Sequence, residues 1–267
     1  PRQRFGAAIG GRQRVIASLP MYARPENRAA HSALWALIRD GLRARALPAP
    51  DGLDFDTPHM QGWARPDLVL GQICNLPYRA QFQGRVTRIG CFDYGLPDCP
   101  PGQYYSHFVV RRNDPATSAT DCAKAGYVFA YNEGLSQSGW GAPQAWAAAQ
   151  GLALRPGPKT GAHLASLQAV AEGRADWAAT DAITLRMAQR WQSALTDQLR
   201  IIGRTAPSPG MTLITRQGQP PQPYAAAITE ALAQLPAEIA QILGICGFHS
   251  LPQSAYDIAL PSPPQPA

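Results

Sequence analysis

The chain has 267 residues, 45% of them hydrophobic and 16% charged, with a formal net charge of +6. That length supports one large or two modest domains with real cores, and that composition excludes a disordered polymer. No apolar run approaches a membrane span, and the charge is not a nucleic-acid footprint. Arg2, Arg4, Arg12 and Arg14 carry four of the six charges in a stretch without acids, and the other basic residues are scattered.

Residues 1–14 read as an unstructured or tag-like segment. They contain no apolar signal-peptide core, which leaves the compartment open. Residues 15–19 are short and apolar, as a buried strand is. Residues 20–25 leave that strand as a loop. A helix follows from about Glu26, with Leu34, Leu37, Ile38 and Leu42 on one face and Gly41 near its end. Residues 46–62, rich in Pro, Asp and Gly, read as loop. Asp67-Leu68-Val69-Leu70 is the next strand. Strand, loop, helix and strand in this order indicate parallel α/β structure.

Residues 104–111 form a further strand that runs into the turn Asn113-Asp114-Pro115. Residues 126–131 open a new unit with its own strand. A Ser-rich loop and a helix come next, with Pro143 in the helix's first turn, where it is tolerated. Thr160-Gly161-Ala162-His163 starts a second helix carrying Leu164, Leu167 and Val170. Residues 175–181 are a strand and 182–195 a third helix. Residues 199–205 then lead through Pro207-Ser208-Pro209-Gly210 to a strand at 211–215. Residues 224–242 are a helical finish, and the Pro-rich tail after Leu260 is expected to be mobile. On this reading 112–203 closes as its own lobe. Residues 15–111 and 204–267 make the other, and two crossings near 108–113 and 202–212 join them.

Chemistry concentrates at two helix starts. Asn132-Glu133-Gly134-Leu135-Ser136-Gln137-Ser138-Gly139-Trp140 and Thr160-Gly161-Ala162-His163 each place small, hydroxylated or glycine residues before an amphipathic helix. A helix N-terminus carries unpaired N–H groups and partial positive charge, so it suits an anion. Ordinary capping by Ser and Thr is the competing reading of either segment alone. Asp181, at a strand end, either accepts from a ligand donor or caps the next helix. Tyr22 follows the C-terminal end of a strand, where open α/β sheets bind ligands; it equally fits a packed loop aromatic. Arg24, one loop away, either pairs with an anion or is solvated. Trp140 offers a stacking wall, whereas Trp177 fits core packing better.

The five cysteines, Cys74, Cys91, Cys99, Cys122 and Cys246, cannot all pair within one chain. Cys91 and Cys99 flank a turn-rich stretch, and both a disulfide and free buried thiols are open there. No pair has the spacing of a zinc or redox motif, and no metal or cofactor is expected.

The order of these segments resembles the PhnD-like group of periplasmic solute-binding proteins, those of phosphate, phosphite and phosphonate ABC transporters. The matching residues are Leu19-Pro20-Met21-Tyr22, then Asp67-Leu68-Val69-Leu70-Gly71 with Tyr78, and Tyr105-Ser106-His107-Phe108-Val109-Val110. Further along are Asn132 with Ser136-Gln137-Ser138-Gly139, Gly161-Ala162-His163, Gly173-Arg174-Ala175-Asp176 with Asp181, and Pro207-Ser208-Pro209-Gly210. The resemblance spans about 15 to 245. It implies an α/β fold of the two-lobed, type II periplasmic-binding-protein kind, closing about two hinge strands. It implies ligand contacts from Tyr22, Tyr78, Ser136, Gln137, Ser138, His163 and Asp181. It also implies a monomer in the periplasm, with the cytoplasm as the other possibility, that hands a small oxyanion-bearing ligand to an ABC permease. Gln137 departs from the hydroxyl that phosphonate binders tend to carry there, and Asp181 would repel a dianion but suit a zwitterion.

A ligand sensor and an enzyme on the same scaffold are the competing functions. For the enzyme, Cys122 or Cys74 would be a nucleophile with His163 as base. The sequence carries no nucleophile elbow, metal motif or phosphate-binding Walker loop, so a non-catalytic binding module is expected.

Overall fold

The computed structural model describes residues 15–265; the segment 1–14 lies outside the described residues. Two five-stranded mixed sheets organise it. In spatial order the first contains Ile16–Ser18, Leu68–Ile73, Thr212–Arg216, Val86–Asp93 and Gly247–His249. The first two strands run parallel and the other pairings are antiparallel. The second sheet contains Arg155–Lys159, Val128–Tyr131, Trp177–Asp181, Ser106–Arg111 and Leu199–Arg204. Its first three strands run parallel, and Ser106–Arg111 runs antiparallel to both of its neighbours, Trp177–Asp181 and Leu199–Arg204.

Burial explains each sheet. The helix Arg28–Ala44 lays Leu34, Trp35, Ile38 and Leu42 onto the first sheet, beside Tyr224, Ala227 and Ile228 of the helix Gln222–Gln234. The second sheet is covered on both faces, as parallel strands require. One face carries an aromatic cluster in which Phe108 lies 4.7 Å from Trp146 and 5.4 Å from Trp177, ring centre to ring centre. The other carries Val109, Ala130, Leu167, Val170 and Leu185. Trp177 is therefore a core residue.

Several elements differ from the sequence reading. The strand Ser106–Arg111, assigned there to the first lobe, pairs with Trp177–Asp181 and Leu199–Arg204 inside the second sheet. The first crossing sits earlier than the expected 108–113, and the second falls within the expected 202–212. Gln103–Tyr104 and Ser208–Pro209 pair antiparallel between the sheets, and Thr205 and Ser106 bond each other through Thr205 N–H to Ser106 O at 2.9 Å. The helix Ala182–Trp191 also reaches across: Ile183 and Met187 pack into the first core, and Arg186 donates to the Tyr94 carbonyl at 2.9 Å. A short helix, His59–Trp63, occupies the end of the stretch read as loop, and strands Val86–Asp93 and Arg155–Lys159 and helix Ala119–Lys124 were not anticipated. The helical finish is two helices, Gln222–Gln234 and Ala237–Leu243, separated at Pro236. The five cysteines are free, so no disulfide joins Cys91 to Cys99.

Gly90, inside Val86–Asp93, marks a close approach of neighbouring groups. A Cβ there would fall 2.4 Å from the Phe248 ring and 2.7 Å from the His249 carbonyl. Gly90→Ala should push the strand Gly247–His249 away and lower stability by about 1–3 kcal/mol, the usual range for overpacking. Urea unfolding checks this; a midpoint equal to that of the parent would remove the packing argument.

Candidate functional site

A cleft of about 700 Å³ opens between the two sheets' units, with lining residues from both. Its polar wall is built from the second unit. The strand Val128–Tyr131 ends in a loop, and Ser136 caps the turn Gln137–Gly141 by accepting from the Gly139 N–H at 3.0 Å. Gly139 is required for this loop, because a Cβ there would lie 1.9 Å from Asn132 Oδ1. The turn continues as the helix Ala142–Ala149. Ser138 Oγ lies 3.5 Å from Ser136 Oγ and 2.7 Å from Nε2 of His163, the first residue of the helix His163–Ala171. The two helix starts singled out in the sequence therefore meet at one hydrogen bond.

Asp181 completes this wall. Its Oδ1 accepts from the Thr184 N–H at 2.8 Å and so caps the helix Ala182–Trp191. Its Oδ2 is buried, lies 3.5 Å from His163 Nε2, and has no hydrogen-bond partner within the protein. Of the two readings the sequence left open, the helix cap is made, and the residue also lies in the cleft lining. Burial lowers the His163 pKa, with Asp181 opposing that shift and Arg24 reinforcing it. Either tautomer of the neutral imidazole makes the bond to Ser138: Nε2–H donates to the serine Oγ, or Nε2 accepts the serine O–H.

Tyr22 and Arg24 line the opposite side. The Tyr22 hydroxyl and Arg24 Nε are buried without a partner in the protein. Burial pushes the Tyr22 phenol well above its ordinary range, so it stands as a neutral donor. At the rim, Lys159 pairs with Glu133 at 2.6 Å, both about half exposed.

Two of the seven expected contacts are elsewhere. Tyr78 does not line the cleft. Its ring turns inward and meets Tyr256 edge-on at 5.3 Å in a core shared with Trp63, Phe82 and Ile214. Gln137 is buried, and its Oε1 accepts from Arg79 Nη2 at 2.7 Å, so its side chain is engaged by the first unit rather than by the cleft. Thr160 ties its own loop together, bonding the Tyr131 carbonyl at 3.2 Å and Ser166 Oγ at 2.6 Å. Trp140 is buried against Tyr131 and is no stacking wall. Cys122 lies in the second core with its thiol pushed up to about 12 by burial. Cys74 borders the cleft, but its sulfur accepts from the Gln137 N–H at 3.3 Å and burial raises its pKa.

Sequence reasoning missed most of the apolar part of the lining, including Met60, Trp63, Met211 and Pro263. The tail after Leu260, expected to be mobile, makes one contact with the second unit: Trp140 Nε1 donates to the Ser262 carbonyl at 2.8 Å, while Arg79 Nη1 donates to the Ala259 carbonyl just before it at 3.3 Å.

Comparison with known proteins gives this geometry a family. Residues 93–256 match the family of ABC transporter phosphonate periplasmic substrate-binding proteins. A search of curated proteins found no match. Among solved structures, PhnD1 from Prochlorococcus marinus, in complex with methylphosphonate, is similar with a TM-score of 0.67 at 14% identity, over 91% of this chain and 94% of that one. A binding protein component of an ABC phosphonate transporter from Pseudomonas aeruginosa gives 0.64 at 15% identity, over 91% and 83%. A Xanthomonas citri protein bound to ATP gives 0.66 at 15% identity, over 90% and 92%. These likenesses establish the type II periplasmic-binding-protein fold. With more than half its length matched, the chain belongs to the family of phosphonate substrate-binding proteins of ABC transporters.

Proposed function

We propose that this chain captures a phosphonate or related oxyanion with one acidic end and one donor-bearing end, and delivers it unchanged to an ABC permease from the periplasm. The carrying observation is the Ser138–His163 hydrogen bond of 2.7 Å on the wall of the cleft, beside the partnerless Oδ2 of Asp181. The acidic oxygens lie at the hydroxyls of Ser136 and Ser138, at His163 and at the N–H groups that start the helix His163–Ala171, with Tyr22 and Arg24 opposite. The donor end faces Asp181. A monomer suffices for this, because both walls come from one chain. The two lobes, approximately 15–105 with 205–265 and 106–204, close over the ligand by bending where Gln103–Tyr104 pairs with Ser208–Pro209. Closure removes water from the site and strengthens each charge-assisted bond.

Calorimetry with inorganic phosphate, methylphosphonate and 2-aminoethylphosphonate tests this. Ser138→Ala should weaken binding by roughly three- to a hundred-fold, the span for losing one hydrogen bond to a neutral or charged partner. Asp181→Asn keeps a capping oxygen and should weaken the aminophosphonate more than methylphosphonate. Mass spectrometry after incubation should return each ligand intact. Tight phosphate binding indifferent to both substitutions would overturn the two-ended reading.

The histidines set a pH dependence of the ligand-free fold. Burial holds the pKa values of His31, His59, His107 and His163 below their ordinary 6.5. The unfolded chain therefore takes up protons first as pH falls. Stability should be full above pH 6.5 and decline below it. His163→Gln should flatten that decline, measured by urea unfolding at a series of pH values; an unchanged slope would show that His163 titrates as it does in the unfolded chain.

A further inference from the structure

Three of the chain's four methionines, Met21, Met60 and Met211, line the cleft; Met211 is also a buried member of the first core, as is Met187, which lies away from the cleft lining. Met60 and Leu135, both on the cleft wall, are two of the four large hydrophobic side chains left exposed among the described residues. Trp63 adds a ring of fixed orientation. Its Nε1 donates to the Gln72 carbonyl at 2.8 Å, and Phe82 meets it edge-on at 5.8 Å. Pro263 comes from a segment beyond the residues 93–256 that match the family. Hydrogen bonds from Arg79 to the carbonyls of Ile258 and Ala259, and from Trp140 to that of Ser262, hold that segment against both units.

An acidic head of a few atoms leaves most of a 700 Å³ cleft unfilled, and pockets of about 300–1,000 Å³ hold drug-sized ligands. Thioether side chains are polarizable and repack around rings and branched chains of different shapes. We propose that this apolar part of the cleft lining is a subsite for an apolar substituent of the ligand, aryl or branched alkyl, and that the C-terminal segment contributes to it through Pro263. The inference rests on the preceding functional reading only for the acidic end of that ligand.

The test uses the full chain labelled at its methionine methyl groups with ¹³C, each signal assigned by Met→Leu substitution. It is titrated with benzylphosphonate, with methylphosphonate and with benzyl alcohol, which has the ring without the acid. Benzylphosphonate should shift the Met60 methyl signal and leave Met187 in place. It should bind about ten- to a hundred-fold more tightly than methylphosphonate, the gain expected for burying one ring. Pro263→Gly, and separately a chain ending at Leu260, should shrink that preference several-fold. If neither phosphonate binds but benzyl alcohol still moves Met60, the acidic-end reading fails and the subsite stands. If neither benzyl compound moves the Met60 signal at millimolar concentration, or methylphosphonate binds as tightly as benzylphosphonate, the subsite is wrong.

Discussion

The guanidinium of Arg79 is buried and, among the described residues, makes no salt bridge. Its partners are neutral oxygens: the side chains of Asn75 and Gln137 and the carbonyls of Ile258 and Ala259. A buried charge is tolerated only when its donors are satisfied. Here the satisfaction comes from three separate stretches of chain, so that ordering one orders the others. Arg79 fixes the Gln137–Gly141 turn against the first unit. That turn sets the position of Ser138, and Ser138 is where the second helix start arrives through His163. The same cation anchors the tail that brings Pro263 to the cleft. Removing the guanidinium would leave Gln137 Oε1 buried without its donor, a cost of about 1–3 kcal/mol before any contact is counted.

This arrangement explains what the sequence could and could not say. Local signals were readable where the partner is local. The apolar stripe Leu34, Ile38 and Leu42 lies buried as its spacing requires, and Ser136 caps the turn it precedes. The meeting of Ser136, Ser138 and His163 was legible because a strand end and two helix starts in one α/β unit fall on the same side of its sheet. Gln137 was misread because its partner, Arg79, is 58 residues away. Nothing in the local pattern separates a glutamine facing a ligand from one facing an arginine. Arg155–Lys159 contains two prolines and a glycine and lacks alternation; it is a strand because it sits at a sheet edge beside Val128–Tyr131. Val86–Asp93 was missed for a related reason. Thr87, Arg88 and Gly90 break its apolar run, and it bulges against Thr212–Arg216.

The cleft is asymmetric in chemistry as well as in origin. The second unit contributes hydroxyls, the imidazole and Asp181 at the ends of strands and starts of helices. The first unit contributes Met21, Met60, Trp63 and Met211 alongside Tyr22 and Arg24. Bringing the two units together therefore does more than shut a lid. The proposed closure would set a largely apolar, low-dielectric surface over a hydrogen-bonding one, and the same polar contacts would gain strength when water leaves. A ligand that satisfied only the polar half would forgo the burial offered by the other.

Stability and binding compete at this site. Tyr22 Oη, Arg24 Nε, Asn132 Oδ1, His163 Nδ1 and Asp181 Oδ2 are buried with no hydrogen-bond partner in the protein; they are five of the ten such atoms among the described residues, and all five residues line the one cleft. Folding alone would favour apolar replacements or mutual pairing, since each such group costs about 1–3 kcal/mol when left unmatched. Their concentration makes sense if they are matched by something the chain does not itself contain. A ligand that supplies acceptors to Tyr22 and Arg24 and donors to Asn132 and Asp181 recovers a cost already incurred in folding. Recognition is then selective for a reason beyond contact area. An analogue lacking one of those groups leaves a buried polar atom unmatched once the units close, and that penalty exceeds the net worth of the hydrogen bond it fails to make.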